Sequence, residues 1–180
     1  MTFPSFTTGE VLTAADMNAV GLWLVKTQTI GTAVSTVTVT GAFSSNYDAY
    51  LITITGGVGS GSAGVNMTLG ATATGYYFAA NYVSYIGGSG VFNGANVASW
   101  QECIYMSTQA INCQITLKNP NLAQRTFINW QNSGAATTAV NLSTNGGGYL
   151  NDSTQYTAFT LTPTAGTMTG GTIRVYGYRN

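Results

Sequence analysis

From Leu22 onward the chain alternates apolar and polar residues with a period of two, in short runs rich in Val, Ile, Thr, Tyr and Phe. That period puts successive side chains on opposite faces of an extended backbone, a pattern no helix produces. In 49–55, Tyr50, Ile52 and Ile54 point one way and Leu51, Thr53 and Thr55 the other. In 173–178, Ile173 and Val175 oppose Arg174, Tyr176 and Tyr178. Such runs predict strands over 22–30, 34–40, 49–55, 65–71, 76–86, 97–106, 110–118, 125–131, 137–144, 155–162 and 172–178. Gly- or Asn-rich stretches at 56–64, 87–90, 119–121 and 145–148 read as the breaks between them. Many short strands without intervening helices predict an antiparallel β-sandwich or barrel.

Residues 1–21 differ. Thr13 fits an N-cap with Asp16 as its capping-box partner, Leu12 and Met17 form a hydrophobic staple, and Gly21 ends the segment. The implied helix, about 14–20, is two turns long and needs a docking partner to be stable. The chain therefore divides into an N-terminal segment, 1–21, and a β-sandwich domain, 22–180.

Charge narrows the functions. The 180 residues hold 5 Lys+Arg, 5 Asp+Glu and no His, so charged residues are 6%, against about 25% in an ordinary domain. Thr, at 29 residues, and Gly, at 23, take up much of the difference. Five basic residues cannot form a nucleic-acid footprint. The 12% aromatic content argues against disorder. Without His, the usual Ser-His and Cys-His nucleophile pairs and imidazole metal ligands are unavailable, so no enzyme, cofactor or metal is expected. Of the five acids, Asp48 and Glu102 are the pair to check for a glycosidase-like arrangement. Asn151-Asp152-Ser153 reads as a solvated turn; as an oxygen-ligand loop for calcium it lacks the carboxylate count of a dedicated site. The first residues, Met1-Thr-Phe-Pro-Ser-Phe6, have neither a basic nor an apolar stretch, so no signal peptide is expected there. The charge-free stretch from Ala49 to Gln101 is too rich in Gly, Ser, Thr and Asn for membrane insertion.

Cys103 and Cys113 flank a turn near Thr108. A hairpin there would set Cys103 opposite Cys113 and Tyr105 opposite Ile111, on one apolar face with Ile115 and Leu117. Buried free thiols and a cross-strand disulfide are both open; two Cys are too few for zinc. Tyr76, Tyr77, Phe78, Tyr82 and Tyr85 crowd one segment, and Trp100 and Trp130 lie in others. Flat aromatic faces with Asn, Asp and Gly nearby suit sugars, and the same rings suit a core or a subunit interface. The second face of 173–178, with Arg174, Tyr176 and Tyr178, is a candidate subunit interface.

Three blocks carry a resemblance. Phe6-x-x-Gly9-Glu-Val-Leu-Thr-Ala-Ala-Asp-Met-Asn18 resembles the N-terminal signature of tail and tail-fibre proteins of tailed bacteriophages. Trp23–Gly31, followed by Val37-Thr-Val-x-x-Ala-Phe-Ser-Ser-x-Tyr47-Asp-x-Tyr50, resembles the opening strands of a jelly-roll domain on phage virions, and Gly166–Asn180 its closing strand. The resemblance implies a homotrimer of jelly-roll domains on the virion surface, assembled in the bacterial cytoplasm. Residues 1–21 would anchor it to other virion proteins, with Phe6, Leu12, Thr13, Asp16 and Met17 in the anchor. It implies a tail protein attaching to a host surface glycan through loop tips 56–64, 87–96 and 145–152, with Tyr76, Tyr77, Asn93, Asn96, Asn145 and Asp152 as candidate contacts. The alternative is a capsid decoration or head-fibre protein with a purely structural role, since no shaft repeat separates anchor from knob.

Overall fold

The structure is a computed structural model that describes residues 8–9, 21–134 and 142–178. The expected helix at 14–20 and the anchor residues Phe6, Leu12, Thr13, Asp16 and Met17 lie outside them. The described residues form strands joined by turns. In chain order these are β1 (Leu22–Thr29), β2 (Val37–Val39), β3 (Ala49–Thr55), β4 (Val58–Gly59), β5 (Ala63–Leu69), β6 (Tyr76–Ser84), β7 (Ser89–Val97), β8 (Trp100–Met106), β9 (Cys113–Lys118), β10 (Thr126–Gly134), β11 (Leu142–Leu150), β12 (Phe159–Pro163), β13 (Met168–Thr169) and β14 (Thr172–Tyr178).

Eight strands, in the order β1-β14-β3-β9-β10-β11-β6-β7, make one sheet, and β2-β12-β5-β8 make a second. A short β13-β4 ribbon closes one corner. Every pairing is antiparallel, and the two main sheets face each other as a sandwich. The alternation expected in β3 and β14 is the one observed: Tyr50, Ile52, Ile54, Ile173 and Val175 are buried, and their neighbours turn outward. Between the sheets lie Trp100, Tyr76, Phe159, Met67, Leu69, Ile104 and Met106, each fully buried. Burying a large apolar side chain contributes about 1.5–3 kcal/mol, so this layer is the main source of stability.

β11 runs straight through Asn145–Gly148, a stretch the sequence suggests as a break. The glycines serve close packing instead of a turn. Gly146 faces inward under the Trp130 indole, where a Cβ would fall inside the ring, and Gly148 lies against the backbone of Tyr77 and Phe78. Similarly, β7 occupies most of the expected 87–96 loop, and β4 sits inside the 56–64 loop. Short Gly-rich strands carry too few side chains for their alternation to register.

The cysteine hairpin is not formed. β8 joins the four-stranded sheet beside β5, while β9 joins the eight-stranded sheet between β3 and β10. A single bridge, Met106↔Ile111, links the two ends. A bulge at Glu102, whose φ is 51°, buries both Cys103 and Ile104 and leaves Tyr105 half-exposed. The two cysteines thus meet across the core as free thiols, with Cys113 Sγ donating to the Cys103 carbonyl at 3.6 Å and Cys103 Sγ to Val65 O at 3.6 Å.

Two predictions follow from the packing. Gly146→Ala should destabilise the domain by about 2 kcal/mol, lowering Tm by roughly 4–8 °C in a calorimetric scan, because the indole of Trp130 has no free space to yield. Burial pushes the Cys103 thiol up to about 12 and the Cys113 thiol well above its ordinary value. Both thiols should therefore resist alkylation at about pH 8 in the folded protein and react once it is unfolded. Because both folded values are raised, the thiol contribution to stability is flat below the ordinary thiol pKa and declines as pH rises above it.

Candidate functional site

The outward face of the eight-stranded sheet carries the most chemistry. Strand register aligns its side chains in rows across the strands. One row runs Tyr178, Ala49, Lys118, Phe127, Tyr149, Tyr77. The next runs Tyr176, Leu51, Thr116, Asn129, Gly147, Ala79, Asn93, and the third Arg174, Thr53, Gln114, Gln131, Asn145, Asn81, Val91.

These rows make an aromatic platform beside a field of amides. Tyr77 and Tyr149 stack with centroids 4.9 Å apart and planes 7° from parallel. Phe127, 43% exposed, lies 6.4 Å from Tyr149, and Arg125 sits 5.3 Å from the centroid of the same ring. Next to the platform, Gly147 and Ala79 leave the sheet surface low, because neither has a side chain long enough to cover it. The result is a shallow hollow of about 380 Å³ lined by Tyr77, Gly147 and Tyr149. A second hollow, of about 260 Å³, continues along Gln114, Asn129, Gln131 and Asn145. Carboxamides present both donors and acceptors, and no carboxylate takes part in these rows, so the surface suits hydroxyl-rich ligands lying flat on aromatic rings.

The sequence-derived candidates separate on this geometry. Tyr77, Asn93 and Asn145 belong to the outward face. Tyr76 does not: it is fully buried, edge-on to Trp100 at 5.0 Å, and its hydroxyl accepts from Leu69 N and donates to Thr72 O. Alternation decides this, since adjacent residues of β6 must face opposite ways. Desolvation pushes the Tyr76 phenol above its ordinary pKa, as befits a core hydroxyl. Asn96 is exposed but committed to a bulge in β7, with φ 58° and its side-chain oxygen accepting from Gly75 N and Thr74 Oγ1. Asp152 likewise accepts from Thr154 N and from the Tyr156 hydroxyl, which holds its turn together. Trp100 and Trp130 are core residues.

Arg174, Tyr176 and Tyr178 do face outward, as β14 predicted, beside the exposed Leu22 and Leu24 of the edge strand. Arg174 Nη1 donates to Thr55 Oγ1 at 3.2 Å. Asp48 and Glu102 are not brought together: Asp48 precedes β3, while Glu102 lies on β8 beside a cleft that Asp48 does not line. Tyr149, Phe127, Asn129 and Gln131 went unnoticed in the sequence. For the last three the signal was the alternation of β10, in which Ile128 and Trp130 point inward and Phe127, Asn129 and Gln131 outward; Tyr149, on β11, follows a run of glycines that carries no such pattern.

No protein-family model matches the chain, and no curated protein matches it.

If the tyrosine stack is a preformed platform, a double-mutant cycle with Tyr77→Ala and Tyr149→Ala should give a coupling of about 0.5–1.5 kcal/mol in denaturant unfolding. The near-zero coupling of two independent surface rings would show that they are not held together in solution.

Proposed function

We propose that this chain is a virion surface protein of a tailed phage whose sandwich domain attaches to glycans through the outward face of its larger sheet. One observation carries the reading: the parallel Tyr77–Tyr149 pair beside the low, amide-lined surface of Gly147, Asn129, Asn145 and Gln131. A sugar ring stacks its apolar face on an aromatic ring and spends its hydroxyls on amides, and both groups stand ready here at sheet positions fixed by the backbone. The contact surface is thus a sheet face, in place of the loop tips first expected.

The strand order supports the finer reading of the fold as a jelly roll. Strands β2, β3, β5, β6, β7, β8, β9 and β12 alternate between the sheets, except at the β6–β7 hairpin within the larger one, in the manner of two interlocked Greek keys. The hairpin β10–β11 then widens the position of β9 from one strand to three, which preserves the antiparallel sense toward β6. The widening supplies Phe127, Asn129, Gln131, Asn145 and Tyr149, so the inserted hairpin is the part of the fold that makes the candidate site.

A homotrimer fits the outward Tyr176, Tyr178, Leu22 and Leu24, which give β1 and β14 an apolar patch at the sheet edge opposite β7. Trimerisation would multiply weak single sites into useful avidity. The second reading, a particle-stabilising decoration protein anchored by residues 1–21, rests on that same patch, which a structural role would cover.

Binding of the recombinant chain to a glycan array tests the proposal. At least one glycan should bind, and Tyr149→Ala should weaken it at least about tenfold, the loss of roughly 1.4 kcal/mol of stacking. If no glycan and no host cell surface is bound while the fold is intact, the attachment role fails and the structural reading stands.

A further inference from the structure

We infer that the cleft between the two sheets at the β6–β7 end is a second binding site, for a neutral sugar of one or two rings. It rests on the larger sheet's inner face, not on the platform of the outward face. Its walls are Tyr82, Ser84, Phe92 and Thr144 from the larger sheet and Glu102 and Tyr105 from β8, around about 570 Å³. That volume is in the range of small-ligand sites.

The inner row that leads into this cleft changes character along its length. It begins with Ile54 and Cys113 and continues through Asn132 and Thr144 to Tyr82. Asn132 is 1% and Thr144 3% exposed. Among the described residues, both amide atoms of Asn132 and the hydroxyl of Thr144 lack a hydrogen-bond partner. An unpartnered buried polar atom costs about 1–3 kcal/mol, and Val or Leu at these positions would extend the apolar row at no such cost. Thr144 itself lines the cleft, and Asn132 is its cross-strand partner on the same face. A ligand hydroxyl in the cleft would satisfy the Thr144 hydroxyl, beside which Asn132 stands in the next strand.

The ligand class follows from what else lines the space. Phe92, Tyr82 and Tyr105 offer ring faces, and Ser84 adds a hydroxyl. The one ionisable acid is Glu102 at the rim, in the left-handed backbone region at φ 51°, where a non-glycine residue is strained. With a carboxylate and no Lys or Arg among the described residues of the lining, phosphate and carboxylate ligands are disfavoured and hydroxyl-rich neutral ones are suited.

The test titrates the full chain with glucose, galactose, mannose and N-acetylglucosamine, each to about 50 mM so that millimolar affinities saturate, followed by amide NMR. At least one sugar should give saturable shifts in β6, β8 and β11 around Thr144 and Tyr105. Thr144→Val should weaken that binding at least tenfold, Thr144→Ser should restore it to within about threefold, and Tyr149→Ala on the outward face should leave it unchanged. Without sugar, Thr144→Val should raise Tm by about 2–4 °C, the gain from removing an unsatisfied hydroxyl. The proposal is overturned by the absence of saturable shifts with every sugar, by undiminished binding in Thr144→Val, or by a fall in its Tm. Loss of binding with Tyr149→Ala alone would assign the sugar to the outward face and also overturn the cleft, while leaving the attachment reading intact.

Discussion

Eight strands lie against four, and most of this molecule's character follows from that mismatch. Sheets pack face to face about 10 Å apart, so a four-stranded sheet can seal only part of a partner twice as wide. Where the cover is complete, over β3, β9 and β10, the inner face is filled by Tyr50, Ile52, Ile54, Ile115, Leu117 and Ile128. At the margin, β8 is the last strand of the smaller sheet and faces β10, β11, β6 and β7 together. Beyond it the inner face becomes polar, through Thr144, Tyr82 and Ser84, and the cleft opens there.

The same widening shapes the other side. The β10–β11 hairpin broadens the sheet, and broadening needs a close fit at its centre. Trp130 and Gly146 provide it: the indole lies flat where any side chain on β11 would stand. Three glycines in succession would weaken an isolated strand. Here β11 is paired over its full length on both sides, to β10 and to β6, so the backbone is held by its neighbours. Gly146 and Gly148 then serve the core, and Gly147 keeps the outward surface low beside Tyr149. One tripeptide thus fixes the packing of one face and the relief of the other.

How far the sequence revealed this depended on whether a feature was local. β3 and β14 could be bounded from alternation to the residue, because nearly every position of each carries a side chain that repeats the pattern. β7 and β11 could not, because Gly90, Gly94 and Gly146–Gly148 leave gaps in the pattern and glycine commonly marks turns. The cysteine hairpin failed for a different reason. Its local signal, two apolar runs about a polar turn, is the same whether the chain returns to its own sheet or crosses to the opposite one. Tyr76 and Tyr77 were equivalent by composition and separate by parity alone. Asn132 lies just beyond the expected strand 125–131 and Thr144 at the end of the expected strand 137–144, and their burial depends on the strand packed across the sandwich, which local pattern does not show.

Charge poverty takes on a structural meaning in this light. A strand buried on one face needs a polar outer face, and Lys or Glu would ordinarily supply it. This chain supplies it with Thr, Asn, Gln and Ser, as in Thr53, Thr116, Gln114, Asn129, Gln131 and Asn145. Cross-strand hydroxyl pairs such as Thr38–Thr160, at 3.0 Å, replace the ion pairs of an ordinary sheet surface. Short uncharged side chains keep the sheet surface low and hold both donors and acceptors, whereas long charged ones would cover the tyrosines and bind ions. A surface built this way stays open to a flat ligand over its whole breadth. Of the cations on this face, Lys118 beside Phe127 and Arg125 over Tyr149 bear on the aromatic platform, while Arg174 stands at the β14 end of the third row, beyond Thr53 and away from Gln131 and Asn145. The affinity proposed for a hydroxyl-rich ligand would derive from stacking and hydrogen bonding, both of which survive salt far better than charge attraction does.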